Sequence, residues 1–84
     1  MSLKIGDCIA WSAGTALRTG QYIGKHQHRL KQEKASKKAI SEADPSDIRV
    51  VTTKLRIPRR QLDKKIKAGT AFIVVSLDSV VKNP

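Results

Sequence analysis

The hydrophobic pattern of this chain consists of short alternating apolar runs with two basic stretches set between them. Period-two alternation over Ile5–Trp11 places Ile5, Ile9 and Trp11 on one face of a first strand, with Asp7 interrupting that face near its start. Gly20–Lys25 predicts a second strand, flanked by glycines that permit tight bends. Between them, Ser12–Thr19 holds Gly14 and small polar residues and predicts a turn or loop, so that the two strands could form a meander hairpin with a long loop. Ile48–Ile57 is β-rich, one long bent strand or two strands joined near Thr52-Thr53, with Val51, Thr53, Leu55 and Ile57 along one face and Arg49, Lys54 and Arg56 among the other positions; Pro58 ends it. Thr70–Leu77 is the most hydrophobic run, with Ala71, Ile73, Val75 and Leu77 opposite Phe72 and Val74. Apolar residues on both sides predict a central strand, or one covered by a helix or by a second copy in a homodimer. Val80-Val81 predicts a short last strand.

Two segments carry a different period. Leu30–Ala43 contains no Gly or Pro and is rich in Lys, Ala, Gln and Glu, so it predicts a helix. Wound at 100° per residue, Ala35, Ala39, Ile40 and Ala43 share a narrow apolar sector, with Lys31, Lys34, Lys37 and Lys38 gathered opposite. Asp44-Pro45 stops it, because a residue before proline avoids helical geometry. The run Asp44-Pro45-Ser46-Asp47 predicts a turn whose carboxylates accept backbone hydrogen bonds. Arg59–Ala68 predicts a second helical segment anchored by Leu62 and Ile66 and closed by Gly69.

Gly6-Asp7-Cys8-Ile9-Ala10-Trp11 followed by Gly20-Gln21-Tyr22-Ile23-Gly24 resembles the opening of small Tudor-like or KOW-like β-barrels. Leu55-Arg56-Ile57-Pro58-Arg59-Arg60-Gln61-Leu62 is similar to the strand and short helical turn that lead into the last strand of such a barrel. The match covers about half the chain, and the segment 25–44 is much longer than the usual connection between the second and third strands. The fold expected is mainly β: a small SH3/Tudor-like antiparallel barrel or bent sheet with one inserted basic helix. Residues 1–84 would form a single small domain, with the basic helical or flexible insertion at about 26–44.

Charge then narrows the function. The chain has 84 residues, 17 of them Lys or Arg against 7 acids, for a net charge of +10. Lys25–Lys38 holds six of the basic residues and Lys54–Lys67 seven, each stretch with a single acid, Glu33 and Asp63. Such clustering points to a polyanionic partner, because it costs self-repulsion that a partner relieves. Lys31, Lys34, Lys37, Lys38, Arg56, Arg59 and Arg60 are the candidate contacts, neutralising phosphates and releasing counterions with limited sequence specificity. Aromatic residues are few, Trp11, Tyr22 and Phe72, with Trp11 and Phe72 assigned to the core. That scarcity favours duplex DNA or structured RNA over single strands. The alternative is a protein-interaction adaptor of a mobile-element, phage or regulatory system, whose basic face meets an acidic protein.

Other chemistries find little support. Cys8 is a lone cysteine, expected to be a small buried side chain, so no internal disulfide forms and a reducing, cytoplasmic setting is expected. His26-x-His28 on a strand would put two imidazoles on one side, but no further ligands stand near them in sequence. No phosphate-cradling glycine loop or nucleophile motif is present, so neither an enzyme nor a cofactor is expected. No uninterrupted apolar run approaches membrane-spanning length.

Overall fold

The computed structural model describes residues 3–52 and 56–81. It is mainly β: a five-stranded antiparallel sheet of β1 (Cys8–Ala13), β2 (Ala16–Lys25), β3 (Asp47–Val51), β4 (Ile73–Ser76) and β5 (Val80–Val81), in the order β4-β3-β2-β1-β5. Three helices accompany it: α1 (His26–Gln32) and α2 (Lys37–Glu42) between β2 and β3, and α3 (Arg59–Lys67) between β3 and β4.

The hairpin expected across Ser12–Thr19 forms, but with a tight turn in place of a long loop. Ala13 pairs with Ala16, leaving Gly14 and Thr15 as the only loop residues. Gly14 takes a φ of 63° while Thr15 keeps a negative one, the pattern of a type II′ turn that suits strand twist. Small polar residues such as Ser12 and Thr19 pair as well as any others here, because the short turn fixes the register around them.

Curvature follows from connectivity. β4 and β5 are the two edges of the sheet, yet only the single 3-10 turn Leu77–Ser79 joins them. Four interstrand steps would separate flat edges by about 19 Å. Four Cα–Cα steps from Ser76 to Val80 reach at most about 15 Å. The sheet must therefore curl, although it does not close, since β4 and β5 are not paired. The bent-sheet form of the expectation holds and the closed-barrel form does not.

The curl encloses a core of Ile9, Trp11, Tyr22, Ile48, Val50 and Val75, with Leu3, Ala13, Leu77 and Val80 packed against it. Opposite faces of a strand alternate, so Ile23 and Val51 point the other way. There they meet Ile57 and Leu62, with Ile66 against them, and this second cluster seats α3. Gln21, itself buried, stitches the segment after β3 to the sheet. Its Nε2 donates to the Ile57 carbonyl at 2.8 Å and its Oε1 accepts from the Ile57 amide at 2.7 Å. One side chain thus replaces a pair of ladder bonds where no strand partner runs alongside.

Several expectations are corrected. Cys8 is exposed rather than buried, because it sits on the outer face opposite Ile9. Ile5 precedes β1 and is exposed. The third strand ends at Val51, next to the Thr52-Thr53 junction at which two strands could join, and the expected positions Thr53, Lys54 and Leu55 lie outside the described residues. The apolar run at 70–77 forms an edge strand rather than a central one, leaving Phe72, Ile73 and Val74 about two-fifths exposed. The inserted helix is broken into two. After α1 the chain turns through Lys34 at φ 57°, with Lys34 N–H donating to the Lys31 carbonyl and Ala35 N–H to that of Leu30. This is a Schellman-type helix end, after which Ser36 caps α2 through its hydroxyl. α3 ends in the same way, with Gly69 at φ 93° in the left-handed position, as expected from its sequence.

Candidate functional site

The two basic segments are fastened to the same, outer face of the sheet. Arg49 and Val51 are two residues apart on β3 and share that face. Val51 packs with Leu62 of α3. Arg49 reaches the insertion, its guanidinium bonding both carboxylate oxygens of Glu33 and its Nε donating to His26 Nδ1 at 3.0 Å. Phe72, in the link from α3 to β4, lies against the same guanidinium, with Cζ 4.3 Å from the ring centroid. Only 3% of the Arg49 surface is exposed, so the sequence reading, which set Arg49 apart from Val51, is corrected. A charge buried to that degree needs partners on every side, and it has found a carboxylate, an imidazole and a ring.

All seven basic residues singled out from the sequence are exposed. Lys31 lies on α1, Lys34 in the turn after it, and Lys37 and Lys38 in the first turn of α2. They do not share one helical face, because the helix is interrupted between them. Arg56 precedes the buried Ile57, and Arg59 and Arg60 open α3. Arg59 is tied to Asp7, Nη2 to Oδ1 at 2.8 Å, so it is partly neutralised. Among the described residues, the other six show no ion pair.

Three further candidates lie on α3. Leu62 and Ile66 turn inward, which points Arg60, Lys64 and Lys67 outward at i, i+4 and i+7, with Lys65 also exposed. Their signal was present in the spacing from Leu62 and Ile66. Arg29, in contrast, is structural, since its Nε donates to the Ile23 carbonyl at 3.1 Å.

The titrating groups follow their surroundings. The hydrogen bond from Arg49 holds Glu33 below the usual carboxylate range, against the opposing effect of burial, and the charges of Arg49 and Arg29 add to the lowering. Ser46 donates its backbone N–H and hydroxyl to Asp44 and lowers that carboxyl too, as the predicted turn requires. Burial raises the Tyr22 hydroxyl, opposed by Arg29. His26 and His28 stand on α1 rather than a strand, so a spacing of two turns them to different sides of the helix. Among the described residues no group of three or more His, Cys, Asp or Glu is placed to hold a metal, and no helix is long and apolar enough to cross a membrane. The chain matches no known family model, no curated protein and no solved structure.

Proposed function

We propose that this chain binds nucleic acid through its phosphates, with limited base specificity and no catalytic role. The observation that carries the reading is the convergence of two basic segments, far apart in sequence, on one sheet face. Their Lys and Arg heads are exposed and mostly free of acidic partners among the described residues. Lys31, Lys34, Lys37, Lys38, Arg56, Arg59 and Arg60 remain the proposed contacts, joined by Lys64 and Lys67 on the outward side of α3. Each neutralised phosphate releases counterions, which supplies affinity without reading sequence. The resemblance to Tudor-like and KOW-like barrels belongs with this proposal, and a four-strand meander with β5 added beside β1 suits it.

A second reading has its own support. Phe72 and Val74 leave exposed apolar surface on the outer side of the uncharged β4 edge, and such a patch beside basic segments also suits an acidic protein partner. Salt-titrated binding to duplex DNA, single-stranded DNA and structured RNA separates the two. Affinity that falls steeply with salt for any of them supports the proposal, and no binding at low salt transfers the basic face to an acidic protein.

A further inference from the structure

We infer that Phe72 is a stacking platform for an unpaired nucleobase, an inference that rests on the nucleic-acid reading above and names the form of the ligand. The sequence assigned this ring to the core, but it is 40% exposed. One of its faces lies over the Arg49 guanidinium, 4.3 Å from Cζ to the centroid. Arg49 rises from β3 and is almost wholly buried beneath the ring, which puts the ring's exposure on its opposite face and its edges. Val74, the cross-strand neighbour of Arg49, is 44% exposed on the same side and widens the apolar surface.

The platform is held in place from below. Glu33 and His26 fix Arg49 on the sides that Phe72 leaves free. The ring is therefore pre-positioned, and a base that stacks on it does not have to order it first. The two basic segments flank the same clamp. Glu33 lies between Lys31 and Lys34 in sequence, and the link 68–71 joins the end of α3, with its Lys64, Lys65 and Lys67, to Phe72. A strand laid across the clamp can place a base on the ring while phosphates on either side meet lysines. Stacking accepts any base, in keeping with limited specificity, and it needs a base face that a duplex hides. The occupant is thus a single strand or a looped, unpaired segment rather than a continuous duplex. Few aromatics argue against many stacked bases, not against one.

The test is anisotropy at fixed salt with three probes: labelled oligodeoxythymidylate, a duplex of equal length, and inorganic polyphosphate by competition. Phe72→Ala is expected to weaken oligodeoxythymidylate binding about five- to hundredfold and to leave polyphosphate unchanged, while Phe72→Trp retains full affinity. Phe72→Leu keeps apolar cover over Arg49 without a π face, and its melting temperature reports whether the fold is kept. A folded Phe72→Leu that binds the single strand as wild type does overturns the inference. So does a loss shared equally by polyphosphate, which would make the ring a prop for the basic segments. Wild-type protein that binds duplex and polyphosphate but no single strand overturns the stacking role and leaves phosphate binding standing. Wild-type protein that binds none of the three removes both.

Discussion

Arg49 and Glu33 form a two-pronged ion pair between a buried strand residue and a half-exposed carboxylate at the end of α1, with Nη2 donating to Oε2 at 3.0 Å. His26 accepts from the same guanidinium, and further contacts seat the insertion. Arg29 reaches the Ile23 carbonyl, and Gln27 donates to the Ile40 carbonyl to join α1 to α2. The pair therefore helps to fix where the first basic segment sits.

Removing the carboxylate should destabilise the fold, since it strips a buried guanidinium of its strongest partner. Glu33→Gln is expected to cost about 1–3 kcal/mol at neutral pH in urea unfolding. The sign with pH follows from the lowered Glu33 pKa. A depressed carboxylate contributes stability above its unfolded-state value, near 4.3, and loses it as pH falls through the folded value. Wild type and Glu33→Gln should differ by a constant amount above that range and converge below it. A gap that persists unchanged at strongly acidic pH would show that the ionised carboxylate is not the source.

Gln21 offers a sharper test of the fold. It gives the Ile57 amide and carbonyl their hydrogen bonds from within the sheet and also approaches the Gly6 carbonyl at 3.3 Å. Gln21→Leu keeps the volume but orphans both Ile57 groups, so a loss of about 2–4 kcal/mol is expected from two unsatisfied backbone groups. Hydrogen exchange should localise the damage, with the Ile57 amide losing its protection before those of β1. Protection of Ile57 equal to wild type would mean that the backbone there has another partner.

Much of the architecture was legible in the chain because it rests on local rules. Leu62, Ile66 and Gly69 announce α3 by helical spacing and a left-handed stop. Asp44-Pro45 announces the turn before β3, and alternation marks Trp11 and Ile9 as core. What escaped notice depends on contacts between distant positions. Nothing around Arg49 in sequence reveals that Glu33 and His26 will meet it, so the burial of its charge could not be read from the chain. Phe72 read as core for the complementary reason, since an apolar run does not say whether its strand ends up central or at an edge. The candidate lysines and arginines were legible as exposed, but their convergence on one sheet face was not, because it depends on how β3 presents Arg49 and Val51.

The break between α1 and α2 is similar, because no glycine marks it. Lys34 holds φ 57°, a conformation in which a β-carbon crowds the following carbonyl. Lys34→Gly should relieve that strain and, despite added freedom in the unfolded chain, stabilise the protein by about 0.5–1 kcal/mol. For a domain of this size that corresponds to a rise in melting temperature of about 2–8 °C. Lys34→Ala keeps the β-carbon and removes the same charge, so it should not reproduce the rise. Equal gains from both variants would assign the effect to relieved charge repulsion.

Binding itself should report whether both basic segments act together. If about six phosphates are neutralised, the log–log dependence of affinity on salt should have a slope of about −4 for a single strand or −5 for a duplex. Two charge reversals address the segments separately: Lys34→Glu with Lys38→Glu in the insertion, and Arg60→Glu with Lys64→Glu on α3. Arg59 is left in place because its pair with Asp7 would confound the outcome. All four positions are exposed, so melting temperatures should move little. Each double variant should weaken binding to unrelated sequences alike and flatten the salt slope by one to two, as the lost phosphate contacts predict. Reversal on only one segment changing the slope would confine binding to that segment, and the shared surface across Arg49 would fall. A slope unchanged in both would place the phosphates elsewhere on the protein, away from the clamp and from Phe72.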